Sequence, residues 1–203
     1  MTEHLRKFIR GLLGPIEDNL ARRMKTLGLS PNLVTILGFI FVATASVFIA
    51  MGHLTTGGLL FFLGCLFDMI DGSLARLSNN ITPAGSLLDS VFDRLGEAAL
   101  FIGLSIYGSS INADSRNITV YFVLLLIALV SSQGVSYIRA KAKALNVNVT
   151  SGFMTRPERV VTLALGLIFG EATLLLALGF VAFFSTWTMF TRFLHVYNEL
   201  KSD

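Results

Sequence analysis

Cysteine is all but missing from this chain of 203 residues: Cys65 stands alone, so no internal disulfide can form and no redox framework organises the fold. Histidine is scarce as well, and His4, His53 and His195 are too scattered to suggest a metal site. Charge is the third shortage. Only 14% of the residues are Asp, Glu, Lys or Arg, against roughly 25% in an ordinary soluble domain. The net charge of +3 is modest, and no nucleic-acid partner is expected. No repeat or low-complexity tract is recognisable. The first thirty residues have no apolar h-region or small-residue cleavage site, so no cleavable signal peptide is expected.

What the chain has in abundance is apolar surface. Hydrophobic residues make up 53% of it, and the mean hydropathy is +0.69. A spanning helix needs about 20 mostly apolar residues, and there are six candidates, at roughly 33–52, 57–78, 84–108, 118–142, 158–171 continuing loosely, and 172–195. Gly166, Gly170 and Glu171 crowd the end of the fifth. The expected fold is therefore an all-α integral membrane protein of six transmembrane helices. An amphipathic interfacial helix precedes them, because Leu5, Phe8, Ile9, Leu12 and Leu13 recur at helical spacing between Arg6, Lys7 and Arg10. Two units follow: a juxtamembrane helix over 1–29 and a membrane domain over 30–203.

Punctuation between the spans is readable. Ser30-Pro31-Asn32 suits the start of the first span, and Ser78 to Pro83 breaks the second from the third. Basic residues orient the chain. Arg22, Arg23 and Lys25 precede the first span, Arg76 and Arg94 flank the 2–3 loop, and Arg139, Lys141, Lys143, Arg156 and Arg159 cluster about the 4–5 loop. Arg192 and Lys201 close the chain, and Arg116 alone falls on the other side. The positive-inside rule then places both termini on the cytoplasmic side of the cell membrane.

Against that apolar background, the segment DMIDGSLARLSNNITPAGSLLDSVFD carries Asp68, Asp71, Asp89 and Asp93. The pairs are spaced i, i+3 and i, i+4, so each occupies one helix face. Both lie toward the same, cytoplasmic, membrane surface. Four converging carboxylates repel unless a cation lies among them, and an all-oxygen donor set suits Mg²⁺, Mn²⁺ or Ca²⁺. Gly72, Ala75 and Gly85 leave bare helix surface beside the acids, room for a bulky ligand to approach. Arg76 extends from the same region and suits a phosphate.

The pattern Asp68-xx-Asp71-Gly72-xx-Ala75-Arg76, eight residues, Gly85-xxx-Asp89-xxx-Asp93 resembles the full signature of the CDP-alcohol phosphotransferase family. The resemblance extends to the Pro31–Thr35 element and the basic 4–5 loop. Within the family the chain is most similar to the phosphatidylinositol phosphate synthases. The residues that carry this are Ser136 to Ala142, Gly152-Phe153, Arg156-Pro157-Glu158-Arg159 and Asp89-Ser-Val-Phe-Asp93-Arg94. Arg139 stands where that subgroup often has lysine, keeping charge but changing donor geometry.

The resemblance implies transfer of a phosphatidyl group from CDP-diacylglycerol to inositol 1-phosphate, with release of CMP, by a homodimer in contact with membrane lipids. It implies Mg²⁺ (or Mn²⁺) as cofactor, two ions per subunit, with Asp68, Asp71 and Asp89 on the first. Asp93 would help hold the second and serve as general base. Pro31, Asn32, Leu33, Val34, Gly72, Arg76, Thr82 and Gly85 would contact the CDP-lipid. Arg139, Lys141, Arg156, Arg159 and Arg192 would receive the acceptor phosphate. Two alternatives stay open: the same chemistry with glycerol phosphate or an archaeal ether-lipid donor, and a divalent-cation transporter. The transporter would need a polar path onward from the acids, and no ionisable residue continues across the spans.

Overall fold

A computed structural model describes residues 14, 17–79, 81–110, 115–149 and 152–202, and among them every regular element is helical. A short helix α1 covers residues 17–26. It is followed by α2 (Pro31–Ala50), α3 (Leu54–Leu77), α4 (Pro83–Ser110), α5 (Ser115–Ala144), α6 (Arg156–Ile168) and α7 (Glu171–Ser202). The expected amphipathic stripe from Leu5 to Leu13 lies outside the described residues.

Local chemistry sets the boundaries. Ser30 caps α2 by accepting a hydrogen bond from the Leu33 N–H at 3.3 Å, with Pro31 in the first turn where its missing N–H costs nothing. Thr82 does the same for α4, accepting from Gly85 N–H at 3.0 Å. Helix α6 opens with a capping box: Thr155 N–H donates to Glu158 Oε2 at 3.0 Å, and the Thr155 hydroxyl also contacts that carboxylate. It ends at Gly170, whose φ of +98° lies in the left-handed region that stops a helix.

Four helices are long and apolar enough to cross a bilayer: α2, α3, α5 over Ile118–Ala144 and α7 over Glu171–Lys201. The other two expected spans differ from that type for separate reasons. Helix α4 has 28 residues, but Asp89, Asp93, Arg94 and Glu97 fall within its first fifteen. Helix α6 has only 13 residues, a rise of about 20 Å against about 30 Å of hydrocarbon. Where the sequence suggests a fifth span running to 171, Gly170 cuts it short.

Helix α2 packs against both α3 and α4, and α6 lies against α3 and α7. The α2–α3 contact is backbone to backbone: a Cβ added at Gly38 would come within 3.0 Å of the Gly64 carbonyl oxygen. Leu100, Leu104, Leu125, Leu163, Leu167 and Leu178 form the buried centre of the bundle. Large apolar side chains also face outward, among them Ile40, Val47, Ile102, Leu176, Phe183 and Trp187, as a hydrocarbon solvent requires. Helix α1 docks on the end of the bundle through Ala21, which is buried with Val34, Ile70 and Leu74. Lys25 Nζ donates to the Leu77 carbonyl at 2.7 Å, satisfying one of the open acceptors at the end of α3.

Candidate active site

The interposed α2 lets α3 and α4 meet around one acidic face. Carboxylate oxygens of Asp68, Asp71 and Asp89 all lie within 4.8 Å of one another. Asp71 is buried, 6% exposed, and accepts a hydrogen bond from Thr35 Oγ1 at 2.5 Å. That bond comes from α2 and pins one oxygen of the cluster. Three carboxylates this close, with one partner hydroxyl and no nitrogen or sulfur donor among them, fit a hard divalent cation. The donor chemistry, and not the residue count alone, makes this a candidate metal site.

Asp93, one turn beyond Asp89 on α4, faces a different cation. Arg156 reaches across from the start of α6, with Nη1 at 2.5 Å from Asp68 Oδ2 and Nη2 at 2.6 Å from Asp93 Oδ1. Its guanidinium thus bridges two motif aspartates and partly offsets the charge of the cluster. Side chains on both sides of this bridge remain between 22% and 33% exposed. The capping box fixes where α6 starts, and so fixes the reach of Arg156.

One turn deeper a second ion pair joins the same two helices. Arg159 is 1% exposed, and its Nε donates to Glu97 Oε1 at 3.0 Å. Gln133 Nε2, from α5, donates to Glu97 Oε2 at 3.3 Å, and Arg159 Nη2 donates to Ser136 Oγ at 3.3 Å. Asp68, Asp93, Glu97, Arg156 and Arg159 line one narrow cleft that runs from the acidic cluster into the bundle.

The remaining sequence-predicted residues fall into two groups. Asn32, Thr82 and Gly85 come together: a Cβ at Gly85 would approach Asn32 Oδ1 to 3.1 Å and Thr82 Oγ1 to 3.0 Å. Beside Gly72 only Arg76 Nη1 would approach an added Cβ, at 3.5 Å, so that face of α3 is open. Arg76 Nη2 donates to Ser73 Oγ at 2.6 Å, and Ser73 Oγ donates to Glu17 Oε1 of α1 at 3.1 Å. In the Pro31–Val34 stretch, Val34 is buried while Leu33 is 42% exposed. On the cationic side, Arg139 and Lys141 are exposed on the last turns of α5. Arg192 is buried at 3%, donating from Nη1 to the Val135 carbonyl at 3.1 Å. Sequence reasoning missed Thr35, Glu97 and Gln133. Thr35 closes the same Pro31–Thr35 element and was within reach; Glu97, one turn past Asp93, continues the i, i+4 series of acids.

The chain matches the CDP-alcohol phosphatidyltransferase family over residues 28–195. It is 36% identical over 158 residues to the phosphatidylinositol phosphate synthase of Mycobacterium tuberculosis, covering 77% of this chain and 71% of that protein. It is 30% identical over 211 residues to the archaetidylinositol phosphate synthase of Methanothermobacter thermautotrophicus, covering 99% of this chain and 96% of that protein. Two crystal structures of the M. tuberculosis synthase are similar in fold. The one with CDP-DAG bound gives a TM-score of 0.78 at 31% identity, covering 90% of this chain and 94% of that one. The one in complex with manganese and citrate gives 0.78 at 31% identity, covering 89% and 88%. With a signature carried in full, a metal-competent acidic face and a match over most of its length, the chain belongs to the CDP-alcohol phosphatidyltransferase family of membrane enzymes.

Proposed function

We propose that this protein transfers the phosphatidyl group of CDP-diacylglycerol to inositol 1-phosphate, giving phosphatidylinositol phosphate and CMP. The observation that carries the proposal is the close approach of Asp68, Asp71 and Asp89, with Arg156 and Arg159 entering the same cleft from α6. An acid-rich metal face alone would serve any member of the family. Two arginines converging beside it suit an acceptor that bears its own phosphate.

Divalent ions, Mg²⁺ or Mn²⁺ and two per subunit, bound by Asp68, Asp71, Asp89 and Asp93, supply positive charge for the diphosphate and for the entering and leaving oxygens. The chain's own residues do the rest. Thr35 holds Asp71 in its ligating orientation. Pro31, Asn32, Leu33, Val34, Gly72, Thr82 and Gly85 form the bare backbone and short side chains against which the nucleotide lies, and Arg76 contacts its phosphates. Asp93 accepts the proton of the acceptor hydroxyl as that oxygen attacks the lipid-bearing phosphorus. The bond from this phosphorus to the oxygen of CMP breaks, so no protein nucleophile is required. Arg156 turns from the carboxylates to the acceptor phosphate, with Arg159, Arg139, Lys141 and Arg192 completing a cationic field.

In the membrane, α4 and α6 join the four long apolar helices to make six spans, preceded by the interfacial segment of unit 1–29. Both termini and the active site lie on the cytoplasmic side, supported by the basic residues gathered at the acidic end of the bundle. The enzyme works as a homodimer, a reading supported by its family.

A second reading keeps the acceptor and changes the donor to an ether lipid, favoured by the archaetidylinositol phosphate synthase that aligns with 99% of this chain. One assay separates these. Membranes containing the protein, Mg²⁺ or Mn²⁺, and either CDP-diacylglycerol or its diether counterpart are offered inositol 1-phosphate, free inositol and glycerol 3-phosphate. CMP release with inositol 1-phosphate and the diester donor is expected; release with glycerol 3-phosphate alone would overturn the acceptor assignment.

A further inference from the structure

The Arg159 guanidinium is among the largest fully buried groups in the bundle, and its three nitrogens are treated unequally. Nε is committed to Glu97, Nη2 to Ser136, and Nη1 is buried without a hydrogen-bond partner. Leaving a buried charged donor unpaired is costly. The same guanidinium lines the cleft that Asp68, Asp93 and Arg156 share. A planar fork held on two of its three nitrogens can rotate very little, so the direction of the third is set by the holders. Of these, Glu97 is the stronger, because a carboxylate opposite a guanidinium makes a charge-assisted bond. Glu97 is itself held, since Gln133 donates to its second oxygen.

We infer that Glu97 is a positioning residue for acceptor binding: buttressed by Gln133, it orients Arg159 so that the Nη1 edge is presented to an acceptor phosphate oxygen in the cleft. The inference rests on the proposed use of a phosphorylated acceptor and adds to it. Glu97 has both carboxylate oxygens engaged, by Arg159 and by Gln133. Its effect is transmitted through one arginine, and it also keeps the net charge of the buried pair near zero, so that Arg159 offers direction rather than unscreened charge. The bulk of the attraction for the phosphate then comes from Arg156, one turn nearer the mouth.

The test compares Glu97→Gln, Arg159→Lys and the double variant in the full-length protein in detergent and in membranes. Calorimetric titration with inorganic phosphate alone reads the cleft without turnover. We expect saturable binding in the unaltered protein, weakened roughly tenfold by Glu97→Gln. In turnover, Glu97→Gln should raise the acceptor KM by a similar factor while the CDP-lipid KM stays within twofold. The double variant should be no worse than Arg159→Lys, because both lesions act on the same edge. Gln133→Met removes the buttress with little change of volume and should raise the acceptor KM about threefold; it decides the matter where Glu97→Gln does not fold. Additive losses in the double variant, an equal rise in both KM values, or phosphate binding unchanged in Glu97→Gln would each overturn the inference. So would an unaltered protein that does not bind phosphate. Phosphate binding that depends on Glu97, in an enzyme that ignores inositol phosphate, would instead sustain this role and remove the proposed acceptor.

Discussion

Two acid–base groups sit one helical turn apart where Arg156 and Arg159 of α6 meet the acids of α3 and α4, and they are built to opposite ends. At the mouth, four aspartates, Asp68, Asp71, Asp89 and Asp93, have one arginine among them, Arg156, which bridges Asp68 and Asp93 and stays partly exposed. One turn inward, Glu97 and Arg159 pair one to one in a nearly dry setting. The outer group carries surplus negative charge, which makes it a receptor for cations. The inner group is balanced, and removing either partner would strand a buried charge. Successive turns of α4 and α6 thus contribute to an unsatisfied site, completed by α3, and to a closed brace, and burial decides which is which.

The contrast can be broken most severely at the outer group. Asp71→Asn removes a negative oxygen of the proposed metal site that is both buried and anchored. Turnover should fall by more than about a hundredfold, beyond the loss that follows from disturbing a mere supporting partner. Manganese binding measured by electron paramagnetic resonance should weaken in parallel; retention of both would detach Asp71 from the metal. Arg156→Ala comes next. Loss of a charged hydrogen-bond donor to phosphate, about 1.5–3 kcal/mol, should raise the acceptor KM roughly ten- to a hundredfold in steady-state assays. The CDP-lipid KM should hold, and an equal loss of both would move Arg156 out of the acceptor's path. The smallest effect sharpens the comparison. Thr35→Val keeps shape but frees Asp71, and should weaken metal binding by about tenfold with the melting temperature nearly unchanged. A large drop in stability instead would make Thr35 part of the brace and not of the receptor.

Much of this was readable from residues alone, where the relevant order is local. The i, i+3 and i, i+4 aspartates, Ser30-Pro31 at the start of α2, and Gly72 beside Arg76 follow from helix periodicity and capping, which act within a few residues. The site's remaining logic is long-range. Arg156 and Asp68 are 88 positions apart, and Arg159 and Glu97 are separated by 62. No spacing rule links such pairs before the bundle is assembled. Packing of α2 against both α3 and α4 was hidden for the same reason. Helix α6 was legible in part: its composition is that of a span, and the left-handed turn at Gly170 sets where it ends. Hydropathy averages over that turn, and chain geometry does not.

The glycine contact between α2 and α3 reaches further than its size suggests. Gly38 lies three residues from Thr35, and Gly64 lies four from Asp68, so both halves of the contact sit one turn below the metal face. A single methyl at Gly38 would meet the Gly64 carbonyl and Phe67 Cβ, at 3.0 and 3.2 Å. Relief would come only by prising the two helices apart, and the gap would open where Thr35 meets Asp71. An exchange that touches none of the site's acids and adds no charge would then register as a catalytic defect. In this bundle the tolerances of the chemistry are set by a place where two side chains have been left out.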